Sequence, residues 1–270
     1  MGESGPILRL RSGVEIPLLG LGVWQMRAGR ETEQAIEWAF EAGYRHIDTA
    51  SMYRNEESVG AAVRRSGIPR DEIFVTTKLY PSHPRAHREL AASLKRLGLD
   101  YVDLYLIHWP VPGLHRRQWR DLEELRAKGL ARSIGVSNYH RRQLEPFARG
   151  DGAVPDVNQV HMSALHFPRD VVAYCGEQGI AVEAYSPLEE GRGVTDPNVV
   201  AVADRFGRTP AQVLLRWALQ HGAIVIPKST RKERIVANSR VFDFELGHAE
   251  MSALDGLDRG QHDGRLSLRP

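Results

Sequence analysis

Short apolar runs alternate along the chain with segments whose apolar residues recur every three or four positions. The runs are, in chain order, LLGLGVW, HIDTA, IFVTTK, VDLYLIHW, ARSIGVS, DVNQV, IAVEAYS and AIVIP. The helical patterns cover residues 31–41, 56–65, 84–97, 114–128, 140–148, 168–178, 198–206, 210–221 and 231–238. We therefore predict eight strands, each followed by a helix, after a hairpin formed by ILRLRSGVEIP.

The order of these elements predicts the fold. Strands such as DLYLI and AIVI are apolar throughout, as parallel strands with both faces covered are. Strands that alternate with helices form parallel β-α-β units, and eight units in 270 residues match the size of a TIM barrel. An open doubly wound sheet is the structural alternative. No Pro- or Gly-rich linker divides the chain, so we predict one domain over residues 1–270, with residues 189–197 as the most mobile connection.

Polar residues stand where the predicted strands end. In a TIM barrel these ends lie on the face where active sites form. One such residue alone is more often a cap, a solvated charge or a hydrogen-bonded core group, but a polar residue at nearly every strand end predicts an active site there. From the second strand to the eighth, these residues are Asp48, Lys78, His108, Ser137, Asn138, Gln159, Tyr185, Ser186, Lys228 and Ser229.

Residues of this set, together with a nearby tyrosine, could transfer a proton. A free tyrosine has a pKa of about 10, which is too high for an efficient acid near neutral pH. A nearby ammonium would lower that pKa, and a carboxylate would keep a buried lysine charged. We therefore predict that Asp48, Lys78 and Tyr53 form a tuned acid. His108 could orient a carbonyl oxygen or share in the transfer.

Composition narrows the classes of function. With 36 basic and 34 acidic residues the net charge is +2, too balanced to indicate a nucleic acid or a membrane as partner. The single cysteine, Cys175, permits no intrachain disulfide. No signal-peptide pattern and no apolar run of membrane-spanning length occur, so we expect a cytoplasmic protein. The histidines lack metal-ligand spacing, so we expect no metal.

Several motifs occur in an order that resembles the aldo-keto reductase superfamily, over nearly the whole chain. They are GYRHIDTASMYRNEESVG, TTKL, LIHWP, GVSNY and IPKST followed by RIVAN. Within the superfamily, the chain is most similar to bacterial members of the 2,5-diketo-D-gluconate reductase type. The resemblance implies a (β/α)8 barrel with an N-terminal β-hairpin. It also implies reduction of small aldehydes and ketones by hydride transfer from NADPH, in a protein that is usually a monomer.

The resemblance assigns roles to single residues. It implies that Tyr53 is the general acid, that Lys78 lowers its pKa and that Asp48 pairs with Lys78. His108 would place the substrate carbonyl. The apolar substrate pocket would be lined by Trp24, Tyr53, His108 and Trp109. The cofactor-binding residues that the resemblance implies are Gly22, Val23, Trp24, Asp48, Ser137, Asn138, Gln159, Tyr185, Ser186, Leu188, Ile226, Lys228, Ser229, Thr230, Arg234 and Asn238.

Two groups within that set have distinct expected partners. The resemblance implies that Ser137, Asn138 and Gln159 hold the nicotinamide carboxamide while Tyr185 stacks on the ring. It also implies that the adenosine 2′-phosphate binds to Lys228, Ser229 and Arg234. A lysine and an arginine suit a dianionic phosphate, so NADPH is expected in preference to NADH.

The chain departs from the usual family pattern in three places. After the sixth strand, His161, Ser163 and Ala164 replace the usual Glu, His and Pro, and near the adenine Ala237 replaces a Glu. The tail GQHDGRLSLRP ends where longer relatives have a substrate loop, which predicts a more open pocket.

The glycines of LGLGVW need a separate interpretation. Gly20 and Gly22 lack the third glycine of a dinucleotide-binding fingerprint, because Gln25 stands at that position. We interpret the two glycines as allowing close backbone approach at the end of the first strand.

Two other functions stay open from the residues alone. A cofactor-binding regulatory protein with little turnover has no need of the proton-transfer residues, whereas this chain contains all four of them. A TIM-barrel lyase or isomerase that uses no nicotinamide would not bind NADPH at all.

Overall fold

The computed structural model describes residues 5–150, 152–258 and 260. The strands are β1 (Ile7–Arg9), β2 (Glu15–Pro17), β3 (Leu21–Gly22), β4 (His46–Asp48), β5 (Phe74–Leu79), β6 (Val102–Ile107), β7 (Ala131–Ser137), β8 (Val157–His161), β9 (Ala181–Tyr185) and β10 (Ile224–Val225). The helices are α1 (Arg30–Glu41), α2 (Glu56–Arg65), α3 (Ala86–Leu97), α4 (His115–Ala127), α5 (Arg141–Arg149), α6 (Arg169–Glu177), α7 (Pro197–Phe206), α8 (Pro210–Gln220), α9 (Lys232–Ser239) and α10 (His248–Asp255).

Strands β3 to β10 form one parallel sheet in which the spatial order is the chain order. A parallel bridge between Leu19 and Val225 joins the last strand to the segment before the first, so the sheet closes. The predicted (β/α)8 barrel is therefore confirmed. A doubly wound sheet would reverse its strand order at a switch point, and this sheet has no reversal in the described chain.

The predicted N-terminal hairpin is also confirmed and covers one end of the barrel. Strands β1 and β2 pair antiparallel, and Ile16 has no exposed surface. Ile16 packs in a cluster with Phe74, Val157 and Ile224, which are the first residues of β5, β8 and β10. Since these residues mark the strands' amino ends, the hairpin closes that end and leaves the opposite face for chemistry.

Helix α3 shows how the apolar pattern directs the outer layer. Its buried residues are Ala86, Leu90, Ser93 and Leu97, which recur at helical spacing on one face. The helix ends at Gly98, whose backbone is left-handed with φ of 62°. It begins two residues later than the pattern predicted, since its N-cap is Arg85.

Helix α10 was not predicted from the sequence. It is short, and only Leu254 among its residues is buried, so it carries almost no apolar stripe to recognise. Polar contacts hold it in place: Trp217 Nε1 donates to Asp255 Oδ1 at 2.7 Å, and Arg205 pairs with Glu250 at 3.1 Å.

The connection predicted to be the most mobile has local structure. It contains two 3₁₀ turns, Glu189–Gly191 and Gly193–Thr195. The short tail from residue 261 onward lies outside the described residues. In the part of the chain that the structure describes, no helix is both long and apolar enough to cross a bilayer.

Close packing of α2 against α3 requires a glycine. A Cβ on Gly60 would collide with the carbonyl group of Leu97. We expect Gly60→Ala to lower the free energy of unfolding by about 1–3 kcal/mol, as overpacking does. Gly176 in α6 is the matched control, because nothing lies within 4 Å of its Cβ position. There, alanine should stabilise by about 0.5–1 kcal/mol. Urea unfolding measures both, and equal effects would contradict the packing explanation.

Candidate active site

A buried ion pair lies at the carboxyl end of the barrel. Lys78 at the end of β5 has no exposed surface, and Asp48 at the end of β4 is also buried. The Lys78 ammonium donates to both Asp48 oxygens, at 2.7 and 2.8 Å, and to the Thr49 carbonyl oxygen at 2.8 Å. Burial disfavours the ammonium, but the Asp48 carboxylate outweighs it and raises the pKa of Lys78. The lysine is therefore charged although no water reaches it.

Tyr53 lies beside this ion pair. Lys78 Nζ is 3.3 Å from the Tyr53 hydroxyl oxygen. Burial raises the pKa of Tyr53 to about 12, and the Lys78 ammonium opposes that rise only in part. The sequence-based expectation of a pKa below the ordinary value is therefore not met in this structure, because desolvation outweighs the neighbouring charge. The hydroxyl is protonated at neutral pH and can donate its proton.

Aromatic rings lie next to the Tyr53 ring. The Trp24 ring lies 4.8 Å from the Tyr53 ring, and the His108 ring lies 5.7 Å from it at a steep angle. The Trp109 ring stacks beside His108 at 6.4 Å. Burial and the Lys78 charge lower the pKa of His108 well below its ordinary value, so its imidazole is neutral. The structure thus places Trp24 and His108 next to the Tyr53 ring, with Trp109 beside His108.

A hydrogen-bond network joins the predicted carboxamide-binding residues. The Ser137 hydroxyl donates to the Gln159 carbonyl oxygen at 2.9 Å. Asn138 Nδ2 donates to the Ser137 hydroxyl, and the Tyr185 hydroxyl donates to Asn138 Oδ1, each at 2.9 Å. Gln159 Nε2 donates to Asp48 Oδ2 at 2.8 Å. The network therefore connects the strands β7, β8 and β9 to the Asp48–Lys78 ion pair.

Sequence reasoning missed a second buried carboxyl group in this network. Glu183 in β9 has no exposed surface, and it accepts from Gln159 Nε2 at 2.6 Å. Both amide hydrogens of Gln159 are thus used by carboxyl groups, which leaves its Oε1 as acceptor for a ligand. Burial and the Asp48 carboxylate raise the pKa of Glu183 to about 8, so it holds a proton at neutral pH. The sequence contained a signal for this residue, because the run VEAYS places a charged residue inside a predicted buried strand, which is unusual.

Asn55 and Glu56 in the segment YRNEE form supporting contacts, a role that sequence reasoning did not assign to them. Asn55 is buried, accepts from the Thr49 hydroxyl at 2.9 Å and donates to the Val23 carbonyl oxygen at 2.9 Å. Glu56 accepts from the Thr77 hydroxyl at 2.7 Å and from Arg96 Nε at 2.6 Å. The loop that follows β3 is therefore bound to the loop that carries Tyr53.

Backbone strain is concentrated at this end of the barrel. All non-glycine residues of the described chain with positive φ lie in loops that leave the carboxyl ends of strands; they are Gln25, Arg54, Asn138, Ser186, Glu189 and Glu190. Left-handed backbone is unfavourable for these residue types, least so for Asn, and such strained residues cluster at functional sites. The strain therefore marks the same face as the polar side chains.

The first strand approaches the last too closely for side chains. A Cβ on Gly22 would lie 2.8 Å from the Ile226 carbonyl oxygen, and one on Gly20 would lie 2.7 Å from His46 Nδ1. The interpretation of close backbone approach is confirmed for Gly22, whereas the close neighbours of Gly20 are the side chains of His46 in β4 and of Ile226. The backbone N–H of Val23 donates to the Asp48 carbonyl oxygen at 3.0 Å, which places the Val23–Trp24 segment beside the ion pair.

The other predicted cofactor residues lie in two loops of the same end. Ser186 and Leu188 follow β9, and Leu188 packs partly buried against the core. The remaining residues follow β10 or lie in α9; they are Lys228, Ser229, Thr230, Arg234 and Asn238. Of these, Ser229 and Asn238 are buried, whereas Lys228 and Arg234 are exposed. Neither exposed cation forms a salt bridge within the described residues.

Comparison with known proteins identifies the family. The model of the aldo/keto reductase family matches residues 18–259. The chain is 41% identical over 260 residues to a glyoxal reductase of Bacillus subtilis, covering 95% of this chain and 94% of the relative. It is 42% identical over 263 residues to a methylglyoxal reductase of Escherichia coli, covering 96% and 95%. The chain belongs to the aldo/keto reductase family, a family of oxidoreductases.

Solved structures agree with this assignment. An aldo/keto reductase from Brucella melitensis superimposes with a TM-score of 0.91 at 41% identity, covering 96% of this chain and all of that one. A Bombyx mori aldo-keto reductase in complex with NADP gives a TM-score of 0.88 at 37% identity, covering 95% and 94%. The family is thus established, while the 2,5-diketo-D-gluconate reductase type is not singled out among its members.

The buried carboxyl group of Glu183 predicts a pH dependence of stability. Between about pH 4.5, its ordinary pKa, and about pH 8, the unfolded chain releases this proton while the native protein retains it. The free energy of unfolding should therefore fall as pH rises through that window, by at most about 1.4 kcal/mol per pH unit from this group. Glu183→Gln, which resembles the protonated acid, should remove that slope.

Urea unfolding of wild type and Glu183→Gln across the window measures the difference. Glu177→Gln is the control, since Glu177 ends α6 on the surface. Parallel pH profiles for wild type and Glu183→Gln would show that Glu183 is ionised in the native protein.

Proposed function

We propose that the protein reduces small aldehydes and ketones to alcohols with NADPH, and that Tyr53 donates the proton. The contact between the Tyr53 hydroxyl and the Lys78 ammonium, 3.3 Å in length, carries this proposal. NADPH, when bound, supplies the hydride. The family to which the chain belongs and the reductase names of its relatives support carbonyl reduction.

The charges around Tyr53 suit a proton donor. As a substrate carbonyl is reduced, negative charge develops on its oxygen, and a donor hydroxyl stabilises that charge most where water is excluded. The Lys78 ammonium stabilises the tyrosinate that remains after transfer. Asp48 keeps that ammonium charged and fixed. His108 is neutral, so its imidazole can orient the carbonyl oxygen by a hydrogen bond without adding charge.

The residues of the strand ends suit a nicotinamide cofactor. Gln159 Oε1 has no competing donor among the described residues and can accept from a carboxamide N–H. The exposed cations Lys228 and Arg234 flank the amino end of α9, where backbone N–H groups also favour an anion. A dianionic 2′-phosphate would balance these charges. A relative of known structure is in complex with NADP, which supports this choice.

The ring-lined pocket suits small carbonyl compounds. The rings of Trp24, Tyr53, His108 and Trp109 form a chain of aromatic contacts, and one of them carries the Tyr53 hydroxyl. The relatives named as glyoxal and methylglyoxal reductases act on compounds of this size class. We therefore propose short-chain aldehydes and dicarbonyl compounds as the first substrates to assay.

The role of Tyr53 predicts the effect of one mutation. Tyr53→Phe removes the proton donor and keeps the ring that packs on Trp24. We expect kcat to fall about 100- to 10,000-fold, the range that general acids contribute, while the Kd for NADPH changes little. NADPH absorbance with a panel of small aldehydes measures kcat, and NADPH fluorescence measures Kd.

Tyr101→Phe is the matched control for this mutation, because Tyr101 precedes β6 at the opposite end of the barrel. Wild-type turnover by Tyr53→Phe would refute the acid role. A wild-type protein that binds NADPH tightly but reduces no carbonyl in the panel would favour the cofactor-binding regulatory alternative. A protein that does not bind NADPH would favour a barrel enzyme of another class.

Cofactor preference provides a second prediction. Lys228→Ala and Arg234→Ala should each raise the Kd for NADPH by about 10- to 100-fold, because each removes a charge-assisted bond to the 2′-phosphate. The Kd for NADH should hardly change. Lys232→Ala is the control, since this cation of the same helix already pairs with Glu41 at 2.7 Å. Equal losses of affinity for NADPH and NADH would show that the two cations contact a part of the cofactor other than the 2′-phosphate.

A further inference from the structure

Three rings stack at the carboxyl ends of β8 and β9. The His161 ring lies 5.5 Å from the Tyr185 ring, and their planes differ by 13°. The His166 ring lies 4.3 Å from the His161 ring, again with planes 13° apart. Tyr185 is also fixed at its tip, where its hydroxyl donates to Asn138 Oδ1 at 2.9 Å. One face of the Tyr185 ring is thus backed by an imidazole, and its edge is attached to the carboxamide-binding network.

Glu189 contacts one imidazole of that stack, the ring of His161. Its Oε1 lies 2.8 Å from His161 Nε2 and accepts from the Ser163 hydroxyl at 2.5 Å. Its Oε2 accepts from Arg192 Nη2 at 3.0 Å. Burial raises the pKa of Glu189, but the contacts with His161, Ser163 and Arg192 outweigh it and lower the pKa to about 2. A carboxylate from the loop after β9 is therefore bound to the end of β8.

The backbone at Glu189 is strained, which indicates that its contacts determine its position. Glu189 and Glu190 both have left-handed backbone, with φ of 53° and 54°. Such residues persist only where surrounding contacts over-determine the conformation, and they cluster at ligand sites. Glu189 is buried although its neighbour Glu190 is exposed. The loop is therefore shaped to bring one carboxylate to His161.

We propose that the His161–Glu189 pair positions Tyr185 for the nicotinamide ring, a role that rests on the proposed function. His161 supplies a flat face against which Tyr185 lies, and Glu189 fixes the orientation of that face. Neither residue is placed in contact with the reacting atoms, so both are positioning residues. A ring already ordered loses less freedom when a ligand stacks on it, so the pair should strengthen cofactor binding.

Substitutions at His161 separate its flat ring from its polar contact with Glu189. His161→Ala should raise the Kd and the KM for NADPH about 2- to 10-fold, the effect of losing one aromatic pair. The kcat at saturating NADPH should stay within about 2-fold of wild type, because Tyr53 and Lys78 are untouched. His161→Phe keeps a flat ring and should restore most of the lost affinity. Glu189→Gln should raise the Kd in the same direction as His161→Ala.

A second histidine of the chain provides the matched control. His221 Nε2 also lies 2.8 Å from a carboxylate oxygen, that of Asp255, and its ring packs 4.5 Å from Phe167. It follows α8 and precedes β10, at the amino end of the barrel. His221→Ala should leave the Kd and KM for NADPH unchanged, even if it lowers the melting temperature.

The outcomes distinguish this role from the proposed function. Wild-type affinity for NADPH in His161→Ala would overturn the positioning role alone, as would equal losses in His161→Ala and His221→Ala. A His161→Phe variant as weak as His161→Ala would overturn the role of the flat ring. Failure of the wild type to bind NADPH would overturn the proposed function, and this inference with it.

Proteolysis of the cofactor-free protein tests the contact of Glu189 without any cofactor. Trypsin cleaves after Arg192, which is exposed in the same loop. Release of the loop in Glu189→Gln should make this cut several-fold faster than in wild type, because local opening controls the rate. Unchanged cleavage would show that Glu189 does not hold the loop, and the proposal would fail.

Discussion

The buried ion pair between Lys78 and Asp48 is the interaction around which the active end of the barrel is arranged. An ammonium without any exposed surface is costly unless its partner lies close and its remaining protons are bonded. Here two carboxylate oxygens and the Thr49 carbonyl oxygen accept from it. Gln159 in turn bonds to the carboxylate and ties it to Glu183, which remains neutral by holding a proton. The barrel centre thus contains one balanced pair of charges, with the hydroxyl of Tyr53 at its open side.

Much of this arrangement could be predicted from the sequence. Parallel strands of a barrel end on one face, and the sequence shows which residue ends each predicted strand. The eight strands, the hairpin and the convergence of Asp48, Lys78 and His108 follow from period and order alone. Helix α10 could not be predicted, since its position depends on contacts such as that of Trp217 with Asp255 rather than on an apolar stripe. The direction in which the pKa of Tyr53 shifts could not be predicted either, because it depends on how deeply the ring is buried, which no residue pattern specifies.

The contacts between loops could not be predicted from any single sequence motif. Asn55 joins the loop after β4 to the loop after β3, and Glu189 joins the loop after β9 to the end of β8. In both cases a side chain in one segment makes polar contacts with groups of another segment that is distant in sequence. Residues with left-handed backbone lie beside these contacts, since packed neighbours compensate for the local strain.

The bonds of Asn55 have a consequence for how the substrate range of this enzyme fold can change over evolution. The Asn55 amide donates to the backbone on both sides of Trp24, at Val23 and Met26. These bonds attach the segment that carries Trp24, one wall of the proposed pocket, to the loop that carries Tyr53. The Trp109 wall differs, because the Val111 backbone N–H donates to the Trp109 carbonyl oxygen and the Leu114 N–H donates to the Val111 carbonyl oxygen, both within the loop that carries Trp109. Insertions and substitutions on the Trp109 side can reshape the proposed pocket without moving Tyr53, the proposed proton donor. Diversity among descendants of this chain should therefore accumulate on that side.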